Sequence, residues 1–463
     1  MTTQQNGGVA IVGAGITGLT AAFRLRQRGV PVTVYEASDR AGGVIRSVRK
    51  NGYLAEFGPN SLLDISPVLR GLIRDLGLES RRMYSDPGAE NRYLVRHRKP
   101  VAMPASPPGF FTCKLFSWSA KLALLREPFR PKIDAEVEET VADFVLRRLN
   151  REWLDYAINP MIAGIFAGDP ARLSVKHGFP KLHALEQRYG SLIKGQILGA
   201  RERKRKGEVS KQDAPKVSFD EGLQVLTDTL REHLGGAVRL NTPVTALTCE
   251  APGVWRVTTA TGEAPHRAVL LAAPAYRLAE IALAGGNGLD LRPLGEIHYP
   301  PVASVVLGYR RQDVAHPLDG FGVLVPEVEG YRILGTLFSS SLFPNRAPTG
   351  HVLLTSYVGG MRAPELATRP EDELVRITAE DLAELVGARG QPTFQHVRVY
   401  PRAIPQYELG YGRFKAHMEQ LETKMPGLFL AGHYRNGISL ADSILAGDDV
   451  AGRIADFAAD QTK

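Results

Sequence analysis

Cysteine is nearly missing from this chain: Cys113 and Cys249 are the two it has in 463 residues. A pair so sparse and so far apart excludes a disulfide-stapled scaffold and fits a reducing cytosol. No metal-binding spacing of cysteine and histidine is present either. Long apolar runs are also lacking. No stretch approaches the roughly 18 uncharged apolar residues of a membrane-crossing helix. The opening Met1–Asn6 is polar, with neither a basic segment nor an apolar core, so no secretory signal is expected. Acidic residues fall short of basic ones, 49 against 57, leaving a formal charge of +8. A basic balance suits nucleic acid, anionic lipid or an acidic ligand. The densest run, Arg201–Lys206, reads as an exposed helix end and loop, and no aromatic-interleaved basic module accompanies it. Nucleic-acid binding is therefore not expected. What remains is ordinary for a globular protein, 44% hydrophobic and 23% charged, with length for roughly two to four domains.

Val9-Ala10-Ile11-Val12 is a continuous apolar run, as a buried parallel strand should be. It enters Gly13-Ala14-Gly15-Ile16-Thr17-Gly18, and residues 19–25 carry helical periodicity. A second strand, Val32–Tyr35, ends on Glu36. Each part of this βαβ pattern has a task. Gly13 permits the tight turn, Gly15 lets a pyrophosphate approach the backbone, and Gly18 lets helix and strand pack closely. The helix N-terminus, at Ile16 and Thr17, offers N–H groups and a positive dipole end to phosphates. Glu36 can accept from both ribose hydroxyls, which disfavours a 2′-phosphate and so NADP.

The continuation Glu36-Ala37-Ser38-Asp39-Arg40-Ala41-Gly42-Gly43 resembles the E-x4-R-x-G-G extension of FAD-dependent oxidases and desaturases. Gly42 and Gly43 allow close backbone approach, and Arg40 can pair with a phosphate. Distant segments complete the pattern. Residues 238–244 read as a strand and turn that bring the Val244 backbone to the adenine. A returning strand runs toward Ala273, and Gly427–Gly432 is a strand ending in glycine. A helix then opens near Ile438, Ser439 and Leu440, where its dipole can stabilise negative charge on a reduced flavin. The expected fold is α/β: a discontinuous Rossmann-like FAD-binding domain of the glutathione-reductase-like kind, with a mixed-sheet substrate domain and a helical, membrane-associated subdomain. The proposed division gives residues 1–85, 215–290 and 395–463 to FAD, 86–214 to helices and 291–394 to substrate. Strand candidates in the last part are Val302–Tyr309 and His351–Tyr357.

Further strings carry a more particular resemblance. They are Glu56–Ser61, Asn91-Arg92-Tyr93, Pro104–Pro108, Gly164–Asp169 with Leu173-Ser174, Phe219–Gln224, Gly320–Pro326, Ser339–Pro344 and Ile404–Tyr407. Over nearly its whole length the chain resembles the oxygen-dependent, FAD-containing protoporphyrinogen oxidases of haem biosynthesis. Two departures stand out: Gly432–Gly437 is more basic than the usual pattern, and Glu221 occupies a position where glycine is common.

The resemblance implies six-electron oxidation of protoporphyrinogen IX to protoporphyrin IX, with non-covalent FAD as acceptor and O2 as reoxidant. It places Arg92 on a substrate propionate, and a guanidinium matches a carboxylate bidentately. Phe343 and Leu324 become candidates to sandwich the macrocycle. Asn60 and the Gly164 carbonyl are expected at the flavin–substrate gap, with Gly58 and Pro59 beside the cofactor. No general base is evident. His433 is read as a polar contact beside the flavin, with a base or a covalent link as alternatives. Residues 104–129 mix Phe110, Phe111, Leu115, Phe116, Trp118, Leu122 and Leu125 with Lys114, Lys121 and Arg126. That composition suits either a bilayer interface or a helical part packed inward, and the resemblance favours peripheral association with the cytoplasmic membrane of an otherwise cytoplasmic enzyme. Membrane lipid, a downstream chelatase and a second copy of the chain are the expected partners. Coproporphyrinogen III is the rival substrate. An amine oxidase or desaturase, and a non-catalytic flavin- or tetrapyrrole-binding protein, are the more distant alternatives.

Overall fold

A computed structural model describes residues 7–104, 106–206, 214–286 and 288–460. Met1–Asn6 and Ala105 of the Pro104–Pro108 string lie outside the described residues. So does most of the linker between the basic run and Lys216, and the side chains of Arg201–Lys206 are likewise not described.

Strand β1 (Val9–Val12) is wholly buried. It pairs in parallel with β2 (Val32–Tyr35) on one side and with Ala268–Leu271 on the other. Val238–Arg239 and Leu428–Leu430 extend this to five parallel strands. Strands buried on both faces must be apolar throughout, which is why the run Ala268–Leu271 shows no alternation. Helix α1 (Ile16–Gln27) packs on this sheet, with Leu19, Ala22 and Leu25 in one core with Val9 and Ile11. The helix Leu440–Asp460 lies against it. Gly447 makes that approach possible, because a Cβ there would meet the Thr17 carbonyl oxygen at 2.6 Å.

A seven-stranded mixed sheet forms the second body. Its order is Phe394–Tyr400, Val302–Arg310, His351–Gly359, Ile333–Leu337, Gly320–Leu324, Asn91–Arg96 and Lys99–Ala102. Both strand candidates from the sequence are present, each slightly longer than expected. The proposed division is corrected at two places. Asn91–Ala102 does not join the helices, since Asn91–Arg96 pairs in parallel with Gly320–Leu324 and buries Tyr93 and Val95 in that sheet's core. Phe394–Tyr400 does not join the FAD unit, since it runs antiparallel to Val302–Arg310.

Helices between Pro107 and Lys206 form the third part. Arg148 is fully buried there and bonds Glu186 at 2.6 Å and Glu127. A short π-helical turn, Leu154–Ile158, precedes the helix Asn159–Phe166 that carries Gly164. Among the described residues no helix is long and apolar enough to cross a membrane.

Candidate active site

The glycine loop leaves β1 with Gly13 at φ +104°, a conformation other residues rarely adopt. A Cβ on Gly18 would lie 2.1 Å from the Gly13 carbonyl oxygen, so the helix seats on the strand only with glycine there. Gly15 is the opposite case. A Cβ on it would meet nothing within 4 Å, so that face of the loop is open. The first turn of α1 has no side-chain cap, which leaves its N–H groups for an anionic ligand.

The carboxylate of Glu36 is fixed where β2 ends. It accepts from the Ala14 N–H at 2.8 Å and from the Ser38 N–H at 2.9 Å. Ala37 beside it is exposed. Arg40 turns inward: its guanidinium donates to the carbonyls of Gly43 and Ile45, both at 2.7 Å. It shapes the Gly42–Gly43 loop, and that loop returns to Gly15, whose Cα would lie 3.4 Å from a Cβ on Gly43. Ala273 touches the same turn, since a Cβ on Gly13 would meet its backbone nitrogen at 2.9 Å. Gly58 lies against the Val44 carbonyl, and Pro59 and Asn60 follow it, half-buried. Val244 opens its strand beside this unit, also half-buried.

The Gly432–Gly437 turn is held by tyrosines. Tyr411 donates to the Tyr434 carbonyl at 2.5 Å, Tyr434 to the Leu271 carbonyl at 2.8 Å, and Tyr407 to the His433 carbonyl. Arg435, which made this segment look unusually basic, bonds Glu422 at 2.6 Å and so fastens the turn from behind. Glu221, the other departure, pairs with Arg49 at 2.7 Å near the surface. The His433 ring lies edge-on to Tyr299, 3.3 Å from its hydroxyl. Burial pulls its pKa down to about 4, so the ring is neutral. Ile438, Ser439 and Leu440 follow, and the Ser439 hydroxyl accepts from the Asp442 N–H to start the last helix. Thr17 in the first turn of α1 donates to the Ser443 carbonyl at 3.0 Å. The positive ends of two helices therefore converge. This arrangement fits FAD: Gly13–Gly18 would hold its phosphates, Glu36 its ribose and residues 432–440 its flavin.

The substrate candidates gather at the seam between this unit and the seven-stranded sheet. Asn60 and Phe343 line one narrow crevice with Leu54, Glu56, Ser339, Leu342 and Arg346. The Asn60 amide donates to the Tyr357 hydroxyl at 2.5 Å. Leu324 packs on Gly164 so tightly that a Cβ on that glycine would lie 2.6 Å from Leu324 Cδ2. Arg92 is exposed and stands opposite Gly322 on the neighbouring strand. Phe321, one residue away, packs on Leu342 and Phe343, which links Arg92 to the crevice.

Three residues of this region escaped the sequence reading. Glu56 and Arg346 form a buried pair at 3.0 Å, and Lys216 approaches the Phe321 ring. Burial pushes the Glu56 carboxyl toward neutrality and the Arg346 guanidinium opposes it. With its oxygens also taken by Ser47 and the Leu223 N–H, Glu56 has a structural role and is no free base.

The flavin containing amine oxidoreductase family matches residues 16–455. Protoporphyrinogen oxidase 2 of Arabidopsis thaliana is 35% identical over 477 residues, covering 97% of this chain and 94% of the relative. Coproporphyrinogen III oxidase of Bacillus subtilis is 29% identical, covering 94% and 95%. A crystal structure from Exiguobacterium sp. 255-15 superposes with a TM-score of 0.81 at 24% identity, covering 96% of this chain and 98% of that one, which bears on the fold alone. The chain is an FAD-dependent oxidoreductase that belongs to the flavin-containing amine oxidoreductases and, within them, to the protoporphyrinogen oxidases.

Proposed function

We propose that this enzyme oxidises protoporphyrinogen IX to protoporphyrin IX in porphyrin biosynthesis, at the crevice between Asn60 and Phe343. The observation that carries this site is that Asn60 from the FAD unit meets Leu342 and Phe343 from the sheet unit at one seam; the crevice between them, about 10 Å³, is the size of a single water, so substrate entry has to part these side chains. Bound FAD supplies the two-electron acceptor, and O2 its reoxidation with release of hydrogen peroxide. The chain's own part is to bind and orient. Arg92 holds a propionate at the mouth, Phe343 and Leu324 cover the macrocycle, and Asn60, anchored by Tyr357, sets the gap between macrocycle and cofactor. Neutral His433 and paired Glu56 leave no strong base there, so protons depart to solvent or by tautomerisation of the product.

The test is a porphyrin-fluorescence assay of purified protein with protoporphyrinogen IX and coproporphyrinogen III, beside anaerobic addition of each. Flavin bleaching with a higher kcat/KM for protoporphyrinogen IX supports the proposal. Absence of bleaching by either points to a binding protein instead. In the same assay Arg92→Ala is expected to raise KM roughly tenfold, the scale of a charge-assisted bidentate contact, with FAD content unchanged. An unaltered KM removes Arg92 as the anchor.

The segment of residues 107–129 supports peripheral membrane contact. Its residues divide by face. Leu115 and Phe116 are buried, and Phe116 stacks on Trp153. Trp118 is 67% exposed and Phe129 86%, with Leu122 and Leu125 also outward. Lys121 is not one of the basic flanks: it is buried and donates to the carbonyls of Phe111 and Cys113, both at 2.8 Å. Replacing Trp118, Leu122 and Phe129 by serine should weaken co-sedimentation with anionic vesicles at least about tenfold, since three large apolar side chains lose their insertion energy. Equal sedimentation of both proteins would count against this surface.

A further inference from the structure

We infer that Lys216 is a second carboxylate-binding cation of the substrate site, over the Phe321 ring and near Arg92, so that the mouth grips two propionates; this rests on the porphyrinogen reading above. Lys216 opens the strand Lys216–Phe219, which pairs with Leu62–Leu63 and Arg82–Tyr84. Its backbone is held on both sides, opposite Leu63 and through its carbonyl, which accepts from the Ser85 N–H at 2.9 Å. The side chain is half-buried, and Nζ lies 5.4 Å from the centre of the Phe321 ring. Among the described residues no carboxylate forms an ion pair with it.

Phe321 is placed by a defect in the sheet. The register slips between Gly320, opposite Asn91, and Gly322, opposite Arg92, which leaves Phe321 as the extra residue of a bulge. Bulges re-aim side chains, and this one packs Phe321 against the cluster of Ala89, Leu342 and Phe343. The ring thus has the Lys216 ammonium on its face, the Arg92 strand at its flank and the Phe343 crevice at its edge. Lys216 and Arg92 come from different sheets, and the exposed Glu90 is the acid that acts on Lys216. Burial and the Arg92 charge both lower the Lys216 pKa, and Glu90 opposes them. Two cations near one another suit a dianion, and a porphyrinogen with propionates on neighbouring pyrroles presents two carboxylates along one edge. A half-buried cation pairs more strongly than an exposed one, because water screens it less.

The experiment compares the wild type with Lys216→Gln and Lys216→Arg on protoporphyrinogen IX and on its dimethyl ester, and measures equilibrium binding of protoporphyrin IX by fluorescence. For Lys216→Gln, KM for the diacid is expected to rise about five- to tenfold, and the product to bind weaker by a similar factor. The effect should fall below about twofold on the diester, and Lys216→Arg should recover most of the diacid affinity. A rise of equal size on diacid and diester, or none on either, overturns the assignment. If the wild type turns over porphyrinogen and the Lys216→Gln variant has the same KM and product affinity, Lys216 alone is wrong. If the wild type neither oxidises porphyrinogen nor binds porphyrin, the functional reading fails and takes Lys216 with it.

Discussion

Arg346→Met should destabilise the protein by about 3–5 kcal/mol, the cost of leaving one member of a buried ion pair without its partner. Arg346 and Glu56 are 2% and 3% exposed and lie 3.0 Å apart. Arg346 also donates to the Ser218 hydroxyl at 2.5 Å, and its ring-facing side lies against Phe343. The substitution therefore strands a carboxylate and a hydroxyl together, at the seam where the cofactor unit meets the sheet unit. Glu56→Gln with Arg346→Met should recover most of the loss, because both charges are then gone and the volume is nearly kept. Urea titrations followed by circular dichroism measure both. A single variant within about 1 kcal/mol of wild type, or a double variant no better than the single, would show the pair to be dispensable.

Gly15→Val and Gly18→Val should fail in different ways although they are three residues apart. The backbone at Gly15 is ordinary for any residue, φ −70°, and its missing Cβ faces open space. Gly15→Val should fold, yet its isopropyl group occupies the approach to the pyrophosphate, so FAD affinity should drop on the order of a hundredfold or more. Purified protein is expected to be colourless, with wild-type circular dichroism. Gly18→Val instead drives a side chain into the Gly13 carbonyl at 2.1 Å and Ile11 at 3.2 Å. It should be insoluble, because β1 and α1 can no longer pack in the core. A yellow Gly15→Val protein would mean that the open face of the loop is not the phosphate site.

The contrast also shows what was legible in the sequence. The glycine loop, Glu36 and the flanking strands follow from local geometry: a turn, a helix N-terminus and a strand end lie within some thirty residues. The crevice depends on pairings across hundreds of residues. Asn91–Arg96 sits among turns and ahead of helices, and only its ladder with Gly320–Leu324 shows where it belongs. Asn60 and Phe343 could be named from motif strings, but nothing in them indicated that Arg346 would reach Glu56. Lys216 belongs to no motif in the sequence, and only a bulge in another sheet brings Phe321 beneath it.

The bond from Thr17 to Ser443 spans 426 residues, and it bears on the order of events in synthesis. The glycine loop is made long before its partner helix and the Gly432–Gly437 turn. At roughly 5–20 residues per second, the early half of the site must wait from about twenty seconds to over a minute for the rest. During that wait β1 first lacks its neighbour Ala268–Leu271, and that strand, once made, lacks Leu428–Leu430 on its outer side. Flavin loading is thus a late event for this chain, and a translational stall before residue 428 would leave an exposed parallel edge seeking the nearest other strand.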